Sequence, residues 1–269
     1  MNNFWQRILT GAVFTGSIVA AIWWGPLPFV LLFLLAALLS LNEFYSLLQN
    51  EGLEINRQFG MFCGLLMYLM IAMRSYWPTA YNWEVLIFPL LTTILFVELY
   101  RKKANPFGNI AYTLLGILYT VLPFAFLMNI SVFSGDYDRG ILLGYFFLLW
   151  SSDSFAYVFG NLFGKHRLFE RISPKKSWEG SIGGGISTLG VAHLLSIYQP
   201  QLPWLHWMII GLIIIVTGTL GDLVESLLKR SLHVKDSGSI LPGHGGLLDR
   251  FDALFLSTPF VWAFLEIVG

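Results

Sequence analysis

Charge is scarce in this chain: Asp, Glu, Lys and Arg make up only 12% of its 269 residues, and 16 basic residues balance 16 acidic ones to a formal net charge of zero. No global basic field exists to attract a polyanion, so nucleic acid is excluded as a default partner. Cysteine is almost missing. The single Cys63 rules out an intramolecular disulfide scaffold, and its place inside an apolar run marks a buried bystander thiol. Also lacking are a Walker-type GxxxxGK[ST] run and a GxGxxG after a strand-like segment, so the usual soluble nucleotide-binding folds find no support. What abounds is hydrocarbon. With 56% hydrophobic residues and a mean hydropathy of +0.67, the chain lies outside the soluble range and reads as an integral membrane protein.

A helix crossing a hydrocarbon core of roughly 30 Å needs about 20 mainly apolar residues. Runs of that kind fall at 7–25, 27–48, 59–74, 84–101, 107–128, 140–160, 180–198, 205–226 and 251–268. Nine spans at about 20 residues each leave no room for a soluble domain. The expected fold is therefore an all-α polytopic bundle of about nine transmembrane helices in one continuous membrane domain. Within it, residues 1–139 read as a scaffold of five spans and 140–269 as a catalytic bundle of four. The first run follows Arg7, lacks a clear small-residue cleavage site and continues almost directly into the second, so it is read as retained.

The positive-inside rule sets the expected orientation. With the N-terminus inside, Arg7, Arg57, Arg101, Lys102, Lys103, Lys165, Arg167, Arg171, Lys175, Lys176, Lys229, Arg230, Lys235 and Arg250 fall on the inner side, and only Arg74 and Arg139 fall outside. The C-terminus is then outside.

Chemistry concentrates in two inner segments, 161–179 and 227–250. At the end of the eighth run, GDLVESLLKR places Asp222, Glu225, Ser226 and Lys229 at i, i+3, i+4 and i+7, one polar stripe on a helix. A carboxylate at membrane depth costs about 2.5–3.5 kcal/mol on insertion scales and faces a cavity, a bundle interior or a partner. The lesser alternative is a structural ion pair between Asp222 or Glu225 and a basic residue. The loop that follows is rich in Gly238, Gly243, Gly245 and Gly246 and ends in Asp249, Arg250 and Asp252. Glycines let backbone approach an anion closely, and Lys and Arg supply charge for phosphate. Two readings fit Asp249: capping of the last helix, or, beside Asp222, ligation of a metal. Magnesium takes one or two carboxylates and completes its shell with water and phosphate, so the pair suits a metal-bound nucleoside triphosphate.

In the other inner segment, Asp153, Tyr157 and Asn161 recur at i, i+4 and i+8 on a second polar face. Lys175 and Lys176 follow Pro174, and taken alone they read as topology signals at an anionic leaflet. Gly160 with Gly164, and Gly180 with Gly184, have the spacing of close helix packing. Glu43 and Glu98, at inner span ends, read as interhelical hydrogen-bonding or snorkelling groups in preference to catalytic ones. Trp23, Trp24, Trp77, Trp83, Trp204 and Trp207 cluster at span ends as an aromatic belt.

The stretch Ser226 to Asp252, SLLKRSLHVKDSGSILPGHGGLLDRFD, resembles the signature of phosphatidate cytidylyltransferases (CDP-diacylglycerol synthases), in which S-x-x-K-R, K-D, H-G-G and D-R-x-D recur at fixed spacing. The upstream SPKKSWEG, opening at Ser173, is similar to a second element of that family. The resemblance implies an enzyme that joins phosphatidate and CTP into CDP-diacylglycerol and pyrophosphate with Mg2+. It implies a metal centre at Asp222 and Asp249, with Asp252 beside them and K+ as a second ion. It further implies a site lined by Ser226, Lys229, Arg230, Lys235, Asp236, His244, Gly245, Gly246 and Arg250, which Lys175, Lys176, Ser173, Asp153 and Asn161 approach from the other segment. A homodimer in the inner membrane of a bacterium, with its active site on the cytoplasmic face, belongs to the same expectation. The rival classes are an ion-coupled transporter or flippase, and a CTP-dependent enzyme acting on a polyprenol or another lipid phosphate. Against transport, the polar residues gather at one face and no inverted repeat is visible.

Overall fold

A computed structural model describes residues 3–77, 82–238, 240 and 245–269. Helix dominates because hydrocarbon offers backbone amides no partner outside their own segment. Helix α1 covers Asn3–Trp24, α2 Pro26–Asn50 and α3 Arg57–Tyr76. A short 3₁₀ turn, Trp83–Leu86, leads into α4, Ile87–Arg101. The next span is interrupted: α5, Pro106–Gly116, passes through a π-helical turn, Ile117–Val121, into α6, Leu122–Ser131. Then follow α7, Arg139–Phe163, strands β1, Arg167–Phe169, and β2, Ser173–Ser177, and the helices α8, Trp178–Tyr198, α9, Trp204–Ser231, and α10, Leu248–Val268.

Among the described residues, eight helical segments are long and apolar enough to cross a bilayer, and α1 adds a shorter apolar stretch, Ile8–Trp24. The chain is an all-α polytopic membrane protein. Starts are set where a side chain meets the orphan amides of a first turn. Asp138 accepts from Gly140 N at 2.7 Å and Ile141 N at 3.1 Å to open α7, and Ser177 accepts from Gly180 N at 3.2 Å to open α8.

Two boundaries differ from the sequence reading. Helix α9 continues to Ser231 instead of stopping near 226, because Lys229 and Arg230 in its last turn complement the carbonyl end of the dipole. Ser226, Lys229 and Arg230 thus lie on rigid helix. The 161–179 segment, expected to be a polar loop, holds an antiparallel hairpin with Arg167 opposite Ser177 and Phe169 opposite Ser173.

An aromatic core ties the two halves together. Phe124 of α6 meets Phe251 and Phe255 of α10 edge-on at 4.9 and 5.5 Å between centroids, and Phe33 of α2 reaches Phe124 and Phe146 at 5.8 and 5.7 Å. Helices α7 and α8 pack still closer: a Cβ on Gly184 would lie 2.8 Å from Ala156 N, and one on Gly180 2.8 Å from Ala156 O. The expected small-residue contact is therefore real. Gly184→Ala should cost about 1–3 kcal/mol by overpacking, read as a lower melting temperature in detergent. Gly190→Ala, whose new methyl meets nothing within 4 Å, should be neutral or mildly stabilising. Equal effects of the two would show that the α7–α8 contact is not the tight one.

Candidate active site

The site forms where α9 and α10 come together near the hairpin. Gly221 permits the approach, since a Cβ there would stand 2.5 Å from the Asp252 carbonyl oxygen. Asp222, Glu225 and Asp252 then converge, each offering a carboxylate oxygen, all within 4.8 Å of one another. Glu225 is buried, and its Oε1 has no hydrogen-bond partner among the described residues.

Three cations approach these acids. Lys176 Nζ lies 2.5 Å from Asp222 Oδ2, and Lys229 Nζ lies 2.5 Å from Glu225 Oε2 and 2.6 Å from Asp249 Oδ1. Arg250 and Asp153 line a cavity of about 190 Å³ between α1 and α7, and Asp153 is within electrostatic reach of Lys176, Asp222 and Arg250. By formal charge, five carboxylates thus face three cations, two more acidic groups than basic ones. Hard oxygen donors, an orphaned buried oxygen and that excess fit a divalent cation such as Mg2+, held by Asp222, Glu225 and Asp252.

Asp249 stands beside the three-carboxylate cluster. Besides Lys229, it accepts from Ser237 N at 3.0 Å, Ser237 Oγ at 2.9 Å and Gly246 N at 3.0 Å. Gly245 is required here: it adopts φ +82°, and a Cβ would fall 2.6 Å from Asp249 Oδ2. Ser226 Oγ donates to Asp222 Oδ1 at 3.2 Å, which orients that carboxylate.

The family model for the Cytidylyltransferase family matches residues 5–268. The chain belongs to that family. It is similar to the phosphatidate cytidylyltransferase of Bacillus subtilis, 32% identical over 268 residues and 97% of either chain. It is similar also to the protein of that name from Staphylococcus haemolyticus, 33% identical over 234 residues, 85% of this chain and 87% of the relative. A nucleotidyltransferase that uses CTP accounts for a cluster of acids ringed by cations inside a membrane bundle.

The other expected site residues of this cytidylyltransferase sort by position. Successive strand residues face opposite sides, so Lys176 is half-buried against Asp222 while Lys175 is exposed; Ser173, at the start of β2, is half-buried. Arg230, Lys235, Asp236 and Arg250 are exposed, as is Asn161 near the end of α7. His244 lies outside the described residues.

The sequence reading did not place three further residues at this cytidylyltransferase site. Glu225 was visible on the stripe, three residues after Asp222, yet nothing in the spacing singled it out as the third carboxylate. Tyr119 comes from the π-helical turn; its hydroxyl is buried without a hydrogen-bond partner among the described residues, and its charged neighbours are Glu225, Asp252 and Asp222. Turns of this kind recur at functional sites, where they re-aim one side chain. Glu43, expected to make an interhelical hydrogen bond, does so, accepting from Leu248 N of α10, and it also lies against Gly238 and Gly246 of the site.

Proposed function

We propose that this cytidylyltransferase acts on phosphatidate, joining it to CTP to give CDP-diacylglycerol and pyrophosphate. The observation that carries the reading is the convergence of Asp222, Glu225 and Asp252 beside exposed cations at the end of a membrane bundle. Relatives that match nearly the whole chain carry the name of that activity.

A phosphate oxygen of the lipid forms a bond to the α-phosphorus of CTP, and the bond from that phosphorus to the bridging oxygen of the β-phosphate breaks. A phosphomonoester has its second pKa near about 6, so the nucleophile is largely ionised at neutral pH and needs no dedicated base. The work left to the protein is to bring two anions together and stabilise charge on the leaving pyrophosphate. A magnesium ion at Asp222, Glu225 and Asp252, with Asp249 joining across Lys229, would supply that stabilisation. Lys176 and Arg250 are placed for phosphate oxygens, and exposed Lys175, Arg230 and Lys235 draw the triphosphate toward the cluster. Lys229 holds Glu225 and Asp249 in register. The excess of basic residues on one side supports a cytoplasmic location for this end of the bundle, where CTP is available.

The test is formation of labelled CDP-diacylglycerol from CTP and phosphatidate by purified protein in lipid-supplemented detergent. Product is expected only with phosphatidate and a divalent ion, disappearing with chelator and returning when Mg2+ is restored. Turnover with a polyprenol or another lipid phosphate, and none with phosphatidate, would overturn the reading.

A further inference from the structure

Helix α10 carries Asp249, Arg250 and Asp252, yet its N-cap is Leu247, which has no side-chain oxygen to meet the first amides. Those amides are buried, since Leu247 and Leu248 are 6% and 0% exposed, so water cannot serve them. The acceptor comes from far away in the sequence. Glu43, on α2, accepts from Leu248 N at 3.0 Å through Oε2.

The same oxygen lies 3.4 Å from Ser237 Oγ, whose single proton is shared between it and the nearer Asp249 Oδ2 at 2.9 Å. One serine thus links Glu43 to Asp249. The glycines are cut to fit: a Cβ on Gly238 would lie 2.7 Å from Glu43 Oε1, and one on Gly246 would run into Ser237 and Glu43. Glu43 is only 5% exposed, and no Lys or Arg forms an ion pair with it among the described residues. A carboxyl buried without a cation is costly, and here it is spent on amides that begin the site helix.

We infer that Glu43 is a positioning residue of the catalytic centre: from the N-terminal half of the chain it caps α10 and holds Ser237, Gly238 and Gly246, so that Asp249 and Asp252 keep register with Asp222 and Glu225 on α9. The inference rests on the site reading given above. Reach, more than charge, is what the role needs.

Two variants separate those properties. Glu43→Asp keeps the acid but withdraws its oxygen by one methylene, whereas Glu43→Gln keeps the reach and an acceptor oxygen. In Glu43→Asp, kcat should fall about 10–100-fold, the range for outer-shell partners of a site, with the KM for phosphatidate unchanged within about twofold. Glu43→Gln should keep at least about a third of kcat, since one good acceptor remains. Both are compared with wild type for elution and thermal unfolding in the same detergent. Wild-type kcat in folded Glu43→Asp, or a loss in Glu43→Gln as large as in Glu43→Asp, would overturn the inference, as would a loss seen purely as a raised phosphatidate KM. Asp252→Asn run alongside keeps the two readings apart: full activity there would sink the site assignment itself, whatever the Glu43 variants do.

Discussion

Asp252→Asn should lower kcat at least about a hundredfold, about 2.7 kcal/mol of transition-state stabilisation, while making the metal-free protein more stable. The two effects share one cause. Asp222, Glu225 and Asp252 bring their carboxylate oxygens within 4.8 Å of one another, and like charges that close repel in a half-buried setting. Asn keeps the shape and removes one charge, so repulsion falls and the melting temperature without divalent ion should rise by about 2–4 °C, the effect of about 1 kcal/mol in a protein of this size. The rise in melting temperature that Mg2+ gives the wild type should shrink or vanish, because a ligand stabilises a fold only as far as it binds it. Thermal unfolding with and without Mg2+, beside the turnover assay, checks all three points. A variant that is both inactive and less stable, yet still stabilised by Mg2+, would show that Asp252 is structural.

The second large effect is expected at Lys229. Its ammonium lies 2.5 Å from Glu225 and 2.6 Å from Asp249, with side-chain exposures of 13%, 1% and 8% for the three residues. Lys229→Met leaves two buried carboxylates without their cation. Breaking a buried pair from one side costs about 3–5 kcal/mol, because the remaining charge is desolvated and uncompensated. The expected result is a large drop in melting temperature or recovery of little folded protein, with no turnover. Lys229→Met combined with Glu225→Gln should regain part of that stability, since one uncompensated charge is gone, and should remain inactive. A folded Lys229→Met protein that melts with the wild type would show that the pair contributes nothing to the fold.

The stripe of Asp222, Ser226 and Lys229 could be read directly, because helical periodicity alone puts residues four and seven apart on one face. Arg250 and Asp252 were legible as a polar start to the last apolar run. The role of Glu225 was harder to read: spacing puts it on the stripe, but its convergence with Asp252 depends on how closely α10 approaches at Gly221. Lys176 was one of an adjacent pair, and only the hairpin shows which of the two turns inward to Asp222.

Composition was enough to specify a helical membrane protein, since hydrocarbon leaves backbone amides few other solutions, and apolar run lengths placed the helices to within a few residues except at the end of α9, which runs on to Ser231. The signature between Ser226 and Asp252 was enough to point to the family, because its polar positions are linked by short-range spacing within two helices and one loop. Tertiary structure decided what spacing cannot encode. Glu43 meets Leu248 across 205 positions of sequence, and Tyr119 comes within electrostatic reach of the carboxylates from a π-helical turn that no apolar period announces. Both contacts arise from the packing of α2, α6 and α10 around one aromatic core, and a long-range contact has no local pattern from which to be read.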